Sequence, residues 1–199
     1  MTNIVFIEGV SGVGKTTTAV LLNDKLRDMG HNVRCYLEGA GDNPLDPFNG
    51  AYPPTMPLRS FSEAYSQLWQ NFVKNQYEKY CILILDGTLF HHQINDLIRE
   101  YNASDEVIIN HLTDLLYVIR QLKSVVFYLS SNDVGERLRQ ARASRKQSVP
   151  TEDKITFWEN RRRVDLLALN RLSVESHILS IDDGWDTIVE AMADFITTF

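Results

Sequence analysis

The sequence is poor in cysteine and has no long apolar run, and each shortage argues against a class of protein. Its two cysteines among 199 residues are Cys35 and Cys81. Both stand in apolar runs typical of strands, which favours buried free thiols over a disulfide framework. No stretch approaches the roughly 18 consecutive apolar residues that a bilayer span requires. We therefore expect neither a disulfide scaffold nor a membrane protein.

Positive charge is also scarce, because 26 acidic residues outnumber 20 lysines and arginines and give a net charge of −6. A binder of duplex nucleic acid would need a basic face, so this balance argues against one. The N-terminus has no basic segment and its apolar run stops at Glu8, unlike a secretory signal. Hydrophobic residues, at 44%, are as frequent as in ordinary globular chains. We expect a cytoplasmic protein with a single domain over residues 1–199.

Strand-like and helix-like segments alternate along the chain. The apolar run at 4–7, a helical pattern at 15–29 and a second strand at 33–37 form a βαβ unit, which implies a parallel pair. Further strands are predicted at 80–85, 124–129 and 177–181, and further helices at 60–79, 93–101, 105–122, 133–145, 150–172 and 185–199. A capping box at Ser60 and Glu63 is expected to open the helix at 60–79. The alternation predicts a three-layer α/β fold.

One segment breaks this alternation. Residues 39–57 are dense in glycine and proline, which predicts a long loop of the kind that is usually functional or disordered. The helix after it carries Tyr65, Trp69 and Phe72 at helical spacing. Core packing is the ordinary explanation for such a stripe, and stacking on a nucleobase is the alternative.

The most specific motif directly follows the first strand. Residues 9–16 read Gly-Val-Ser-Gly-Val-Gly-Lys-Thr and match the P-loop pattern G-x-x-x-x-G-K-[ST]. In such a loop the main-chain N–H groups and Lys15 bind the phosphates of ATP, and the hydroxyl of Thr16 binds Mg²⁺. The residues predicted to contact nucleotide are Gly9, Ser11, Gly12, Val13, Gly14, Lys15, Thr16 and Thr17. The motif follows a strand and opens a helix, which is the context that it requires.

Two acids follow other strands at the expected carboxyl edge of the sheet, where α/β proteins bind ligands. Asp86 ends the third strand and is predicted to join Thr16 in the Mg²⁺ shell, with a simple Asp-Gly turn as the alternative. Glu38 ends the second strand, where an exposed strand-end acid without a catalytic role is one explanation and a role toward the acceptor is the other. His91 and His92 come soon after Asp86, and they are candidates for lining an acceptor pocket. No further cysteine or histidine stands at ligand spacing, so zinc is not predicted there.

Arginines cluster after the fourth strand. They are Arg137, Arg139, Arg142 and Arg145. On a helix, successive members three residues apart share a face. A solvated basic helix is the ordinary explanation, but such clustering in an acidic protein favours a role toward anions. The run 161–163 continues the basic character, although three consecutive residues cannot share one helix face.

Taken together, these features resemble the P-loop kinases of small molecules, namely the nucleoside and nucleotide kinases, thymidylate kinase among them. The P-loop, Asp86, the arginine-rich segment 136–145 and the closing fifth strand carry the resemblance, although thymidylate kinases usually have Asp-Arg where this chain has Asp86-Gly87. The resemblance implies five parallel strands in the order 2-3-1-4-5. It also implies that Glu38 acts as a base toward an acceptor hydroxyl.

The same resemblance implies a lid over residues 136–150. Its arginines would stabilise charge on the transferring phosphoryl group, with Arg142 in the catalytic role and Arg137 and Arg139 on the nucleotide. The predicted catalytic set is therefore Lys15, Glu38, Asp86 and Arg142, and the metal set is Thr16 and Asp86.

The predicted function is an ATP- and Mg²⁺-dependent phosphotransferase whose acceptor is a small molecule, a nucleoside or nucleotide first. One alternative is an NTP-hydrolysing switch or regulatory module, although the absence of an N-K-x-D motif weighs against a GTPase. Another is a kinase of an antibiotic or sugar, because fold and P-loop do not choose the acceptor. The assembly state, including a homodimer, stays open.

Overall fold

A computed structural model of the chain describes residues 3–41, 43–45, 56–76 and 82–198. Cys81 and most of the predicted loop at 39–57 lie outside these residues. Cys35 lies inside them as a free, partly buried thiol, and burial raises the pKa of that thiol to about 12. The described part includes the complete P-loop and a strand at each of the five predicted places.

The sheet has five strands, and every neighbouring pair is parallel. The strands are β1 (Asn3–Glu8), β2 (Val33–Tyr36), β3 (Ile82–Asp86), β4 (Lys123–Ser130) and β5 (Glu175–Ser180). Their order is β2-β3-β1-β4-β5. The predicted α/β fold and the strand order 2-3-1-4-5 are therefore confirmed.

Both faces of the sheet are covered, which explains why its central strands are continuous apolar runs. Side chains alternate across a strand, so Ile4 and Phe6 of β1 pack into the core on one face. Val5 and Ile7 pack into the core on the other face. All four side chains are fully buried.

Seven α-helices in the described ranges form the outer layers. They are α1 (Lys15–Asp28), α2 (Leu58–Gln76), α3 (His91–Tyr101), α4 (Asp105–Val118), α5 (Val134–Ser144), α6 (Glu152–Arg171) and α7 (Trp185–Thr198). Residues of α1, α5 and α7 join one core and residues of α2, α3 and α4 the other, while α6 contributes to both. Of these helices, none is both long and apolar enough to cross a bilayer.

The start of α2 differs from the prediction, and the capping box at Ser60 and Glu63 is wrong. The helix begins two residues earlier, at Leu58, which leaves Ser60 inside its first turn. The carbonyl of Pro57 accepts the first hydrogen bond, from the N–H of Phe61 at 3.1 Å. Proline has no N–H to satisfy at a helix start, so the helix can extend back to it. Glu63 instead pairs with Arg59, with 2.7 Å between Oε1 and Nε.

The aromatic stripe of α2 belongs to the core. Tyr65, Trp69 and Phe72 are 1%, 0% and 3% exposed, and Trp69 packs on Phe6 of β1 with ring centroids 5.7 Å apart. Core packing is thus the correct explanation of the spacing. These rings hold α2 against the sheet and offer no exposed face to a nucleobase.

Candidate active site

The P-loop lies between β1 and α1, at the edge of the sheet where the parallel strands end. Gly9 has a φ of 142°, and a Cβ added there would lie 2.5 Å from the carbonyl oxygen of Leu129. Gly14 has a φ of 89°, and a Cβ added there would collide with the ring of Trp185. Both positions therefore need glycine, for conformation and for space.

The start of α1 is free of the groups that usually cap a helix. Gly14 occupies the cap position, no side chain in the described part caps it, and the first turn carries no acid. The first N–H groups of a helix are otherwise unsatisfied, and the helix dipole favours an anion beside them. Lys15, Thr16 and Thr17 form this turn, so the start of α1 suits a phosphate group.

Lys15 is 6% exposed, and its amine lies beside two polar side chains from other parts of the chain. Its Nζ is 3.6 Å from Glu38 Oε2 and 3.3 Å from His91 Nδ1. The ammonium group thus has a carboxylate of opposite charge and an imidazole nitrogen as its neighbours. Phosphate oxygens could take the place of these partners at a P-loop lysine.

Asp86 meets the P-loop helix across the sheet. The register of β1 and β3 sets Asp86 opposite Ile7, two residues before Gly9. Thr16 Oγ1 donates a hydrogen bond of 2.7 Å to Asp86 Oδ2. The second oxygen, Oδ1, is buried and has no hydrogen-bond partner among the described residues.

This pair fits a bound Mg²⁺. Magnesium prefers oxygen ligands, and it is bound through one or two carboxylates together with substrate phosphates and water. Burial raises the pKa of Asp86, against the hydrogen bond from Thr16 and the charge of Lys15. A cation would supply the positive charge that the unpartnered Oδ1 lacks and would keep the carboxylate ionised.

Glu38 follows β2 and lies beside Asp86. Its N–H donates to Asp86 Oδ2 at 3.3 Å, so the two strand ends are joined directly. Its carboxylate reaches Lys15 through Oε2 and His91 Nε2 through Oε1, the latter at 3.2 Å. A carboxylate held next to the P-loop lysine is placed to accept a proton near the phosphates.

A cavity of about 440 Å³ opens over these residues. The P-loop residues that line it are Ser11, Gly12, Gly14, Lys15, Thr16 and Thr17, and its other walls are Glu38, Gly39, His91, His92 and Arg145. This volume lies within the ordinary range of ligand pockets. Gly9, Val13 and Asp86 lie behind the lining, where they shape the loop and support it.

The arginines of α5 are placed differently from one another. Arg142 donates to the carbonyl of Ser148 at 2.6 Å and lies outside the lining of the cavity. Arg145, which follows the last residue of α5, is the arginine of this cluster that lines the cavity. Sequence reasoning chose Arg142 for the catalytic role, whereas the structure brings Arg145 to the P-loop.

The two arginines predicted to contact nucleotide have acidic side chains as their partners. Arg137 points to the segment after β5, with Nη2 at 3.5 Å from the carboxylate of Asp182. Arg139 is exposed and has Glu136 and Glu152 at 3.8 and 3.9 Å. Neither lines the cavity in this structure, so their contact with nucleotide stays a prediction.

Sequence reasoning missed Glu8 as part of the site. Its side chain is fully buried and accepts hydrogen bonds from the N–H groups of Leu89 at 2.7 Å and His91 at 3.3 Å. Burial raises the pKa of Glu8 to about 8, against the charge of Lys15. The signal was a single acid in an apolar strand directly before the P-loop, where a buried charge needs partners.

A buried ion pair on α6 supports the start of α3 from behind. Arg161 and Asp165 are fully buried, with 2.9 Å between Nη2 and Oδ1. Arg161 Nη1 also donates to Asn95 Oδ1 at 2.6 Å, and the hydroxyl of Tyr128 donates to Asp165 at 3.0 Å. Arg163 is exposed and pairs with Asp105 of α4. The arginine run 161–163 therefore has one member in the core and another at the surface, because three consecutive residues cannot share one helix face.

Comparison with known proteins supports the fold alone. No protein-family model matches this chain, and no curated protein matches it either. Among solved structures, the chain is similar to the YorR protein of Bacillus subtilis, whose crystal structure is a complex with phosphorylated GDP. The TM-score is 0.59 at 10% sequence identity, and the match covers 98% of this chain and 95% of that chain. The similarity therefore extends over nearly the whole length of both proteins.

Proposed function

We propose that this protein is an ATP- and Mg²⁺-dependent phosphotransferase that acts on a small-molecule acceptor. The observation that carries the proposal is the hydrogen bond from Thr16 to Asp86 beneath a P-loop whose lysine faces Glu38. A loop that suits phosphate and the Glu38 carboxylate thus line one cavity, and Asp86, the partner of Thr16 in the proposed metal site, lies directly behind it. Similarity to a protein solved with phosphorylated GDP supports nucleotide chemistry in this fold.

The groups that would hold ATP and its metal are already arranged. The main chain of the P-loop and Lys15 would bind the phosphates, and Thr16 and Asp86 would hold the metal. Mg²⁺, when bound, would neutralise charge on the phosphates and so assist the departure of ADP. The side chain of Arg145, which lines the same cavity, would add positive charge there.

Glu38 has a separate role in this proposal, toward the acceptor. Its Oε2 would accept the proton of an acceptor hydroxyl as the oxygen attacks the terminal phosphorus. The new oxygen–phosphorus bond forms while the bond from that phosphorus to the bridging oxygen breaks, and its electron pair leaves with ADP. A second carboxylate, that of Asp86, lies beside Glu38, so a neutral hydroxyl suits this wall better than a phosphate does.

The resemblance of the sequence makes nucleosides and nucleotides the first acceptors to test, with sugars and aminoglycosides next. An NTP-hydrolysing regulatory module is the alternative from a different class. The two differ in whether ADP release depends on an acceptor.

The experiment is an acceptor screen. The protein is incubated with ATP and Mg²⁺ against panels of nucleosides, nucleotides, sugars and aminoglycosides, and ADP release is measured above the rate without acceptor. Stimulation by one class, with the phosphorylated product seen by mass spectrometry, supports the proposal. ADP release that no acceptor changes would favour the hydrolytic module, and failure to bind nucleotide would reject both.

A further inference from the structure

His91 begins α3 at the point where the candidate site meets the core. Its N–H donates to Glu8 Oε2 at 3.3 Å, and its carbonyl accepts from Arg161 Nη1 at 3.4 Å. Both of those side chains are fully buried. The main chain of His91 is therefore held from two sides by hydrogen bonds to side chains that the core keeps in place.

The ring of His91 is fixed as firmly as its main chain. It stacks on Trp158 of α6, with ring centroids 5.3 Å apart and planes at 20°. In this orientation Nδ1 lies 3.3 Å from Lys15 Nζ, and Nε2 lies 3.2 Å from Glu38 Oε1. Each ring nitrogen thus contacts one charged residue of the candidate site.

A second buried histidine, His111, differs from His91 in the charge of its hydrogen-bond partners. His111 of α4 has its two ring nitrogens on the uncharged side chains of Ser62, at 3.1 Å, and Gln93, at 2.9 Å. Its surroundings satisfy a polar ring inside the core. His91 instead lines the cavity and bridges the P-loop lysine to the candidate base.

The partners of His91 determine its tautomer. An ammonium group has only donors, so Nδ1 must be the acceptor toward Lys15 and carries no proton. The proton then lies on Nε2, which donates it to the carboxylate of Glu38. Burial and the charges of Lys15 and Arg161 hold the pKa of His91 well below its usual range, which favours this neutral form.

We propose that His91 is a positioning residue for phosphoryl transfer, an inference that rests on the proposed function. His91 holds Glu38 by Oε1 and leaves Oε2 to the acceptor hydroxyl. In the structure, Oε2 lies 3.6 Å from Lys15 Nζ. When the phosphates bind Lys15, Oε2 loses that neighbour while Oε1 keeps its hydrogen bond to the imidazole. The acceptor proton then has one defined oxygen to reach.

Three variants test this role through turnover. His91→Phe keeps a ring on Trp158 and removes both polar contacts, so we expect kcat to fall about tenfold or more, with nucleotide affinity nearly unchanged. His91→Gln places an amide N–H near the position of Nε2, and we expect it to recover much of that loss. In a Glu38→Gln background, His91→Phe should add little further loss, because the two residues act as one unit.

The matched control is His31→Phe, the same substitution at the opposite edge of the sheet, between α1 and β2. It should leave turnover unchanged. Thermal melting of each variant separates loss of function from loss of fold. Wild-type kcat in a folded His91→Phe variant would overturn the positioning role while leaving the proposed function intact.

A measurement on the wild-type protein does not depend on turnover. Nitrogen-15 NMR of the imidazoles should show His91 neutral near pH 7, with its proton on Nε2, and Glu38→Gln should move that Nε2 signal. A charged ring, or a proton on Nδ1, would overturn the inference even if every acceptor proved active. Should no acceptor stimulate ADP release, the proposed function fails, and His91 then has no reaction for which to position Glu38.

Discussion

Thr16 Oγ1 donates a hydrogen bond of 2.7 Å to Asp86 Oδ2, which joins the start of α1 to the end of β3. The two residues are 70 positions apart in the chain, and they meet because β1 and β3 are parallel neighbours. A hydroxyl and a carboxylate at these two places are the metal-binding pair of P-loop enzymes. This pair gives a way to separate metal handling from acceptor chemistry.

Asp86→Asn should raise the Mg²⁺ concentration needed for half-maximal activity. The change keeps the size of the side chain and removes its charge, so saturating metal should recover part of the lost activity. A Mg²⁺ titration of wild type and variant measures the shift. Asp114→Asn, at an exposed position of α4, is the control. An Asp86→Asn titration curve like that of wild type, at full activity, would remove Asp86 from the site.

Lys15→Ala should lower phosphoryl transfer by about 100-fold or more, because preorganised positive charge acts most strongly where water is excluded. The fold should persist, since the Lys15 amine reaches into the cavity and not into an apolar core. Lys25→Ala removes an exposed amine near the other end of α1 and serves as the control. Turnover and thermal melting are measured together. Wild-type turnover in Lys15→Ala would contradict the role given to the P-loop.

Arg145→Ala should lower turnover more than Arg142→Ala does. The side chain of Arg145 lines the cavity, whereas that of Arg142 holds Ser148 in the segment after α5. A lid arginine acts mainly on the transition state, so kcat should fall further than nucleotide affinity. Steady-state kinetics and calorimetric binding of nucleotide separate the two. A larger loss of turnover from Arg142→Ala would support the assignment made from the sequence.

Glu38→Gln should lower kcat by about 100-fold with little change in nucleotide affinity, because a positioned base contributes about that much to a proton transfer. The amide keeps a group beside His91 and cannot take the acceptor proton. Glu63→Gln, an exposed change on α2, is the control. Turnover is measured with the best acceptor of the screen. Full activity of the Glu38→Gln variant would contradict the role of Glu38 as a base.

His111 should make the fold less stable as pH drops from about 6.5 toward 4, whereas the raised pKa of Glu8 acts in the opposite direction above about 4.5. Burial lowers the pKa of His111 from 6.5 to about 4. The unfolded chain therefore binds a proton at His111 in this window that the folded chain does not bind, so the contribution of His111 to ΔG of unfolding rises with pH across it. The full effect is about 3 kcal/mol. Urea unfolding at several pH values should show the ΔG of wild type falling relative to that of His111→Gln as pH drops, and a constant difference between the two would contradict the assignment.

The parts of this structure that the sequence predicts are those with a local signature. The P-loop is recognisable because each of its fixed positions has a chemical reason, and the strands are recognisable because burial on both faces makes them continuously apolar. The strand order is not local, and it came from the resemblance to P-loop kinases. Helix starts are less well defined by the sequence: the pattern at Ser60 and Glu63 predicts a start that the structure moves back to Leu58, directly after Pro57.

The candidate site shows where local patterns stop being informative. The choice between Arg142 and Arg145 depends on one residue, because α5 ends at Ser144 and Arg145 leaves the helix toward the P-loop. The stacking of His91 on Trp158 joins α3 to α6, and no spacing in the sequence links the two residues. Such contacts follow from how the layers pack, which a single sequence does not encode in any periodic form.

Trp185 fills the space that Gly14 leaves, so α7 forms one wall of the P-loop. During synthesis the P-loop leaves the ribosome early, whereas Trp185 follows only after all five strands have been made. A nascent chain that carries the complete motif therefore still lacks the ring that packs against Gly14. If the proposed function holds, the first motif of this protein to be made is among the last parts to become functional, and a ribosome-bound chain stalled before α7 should not retain nucleotide.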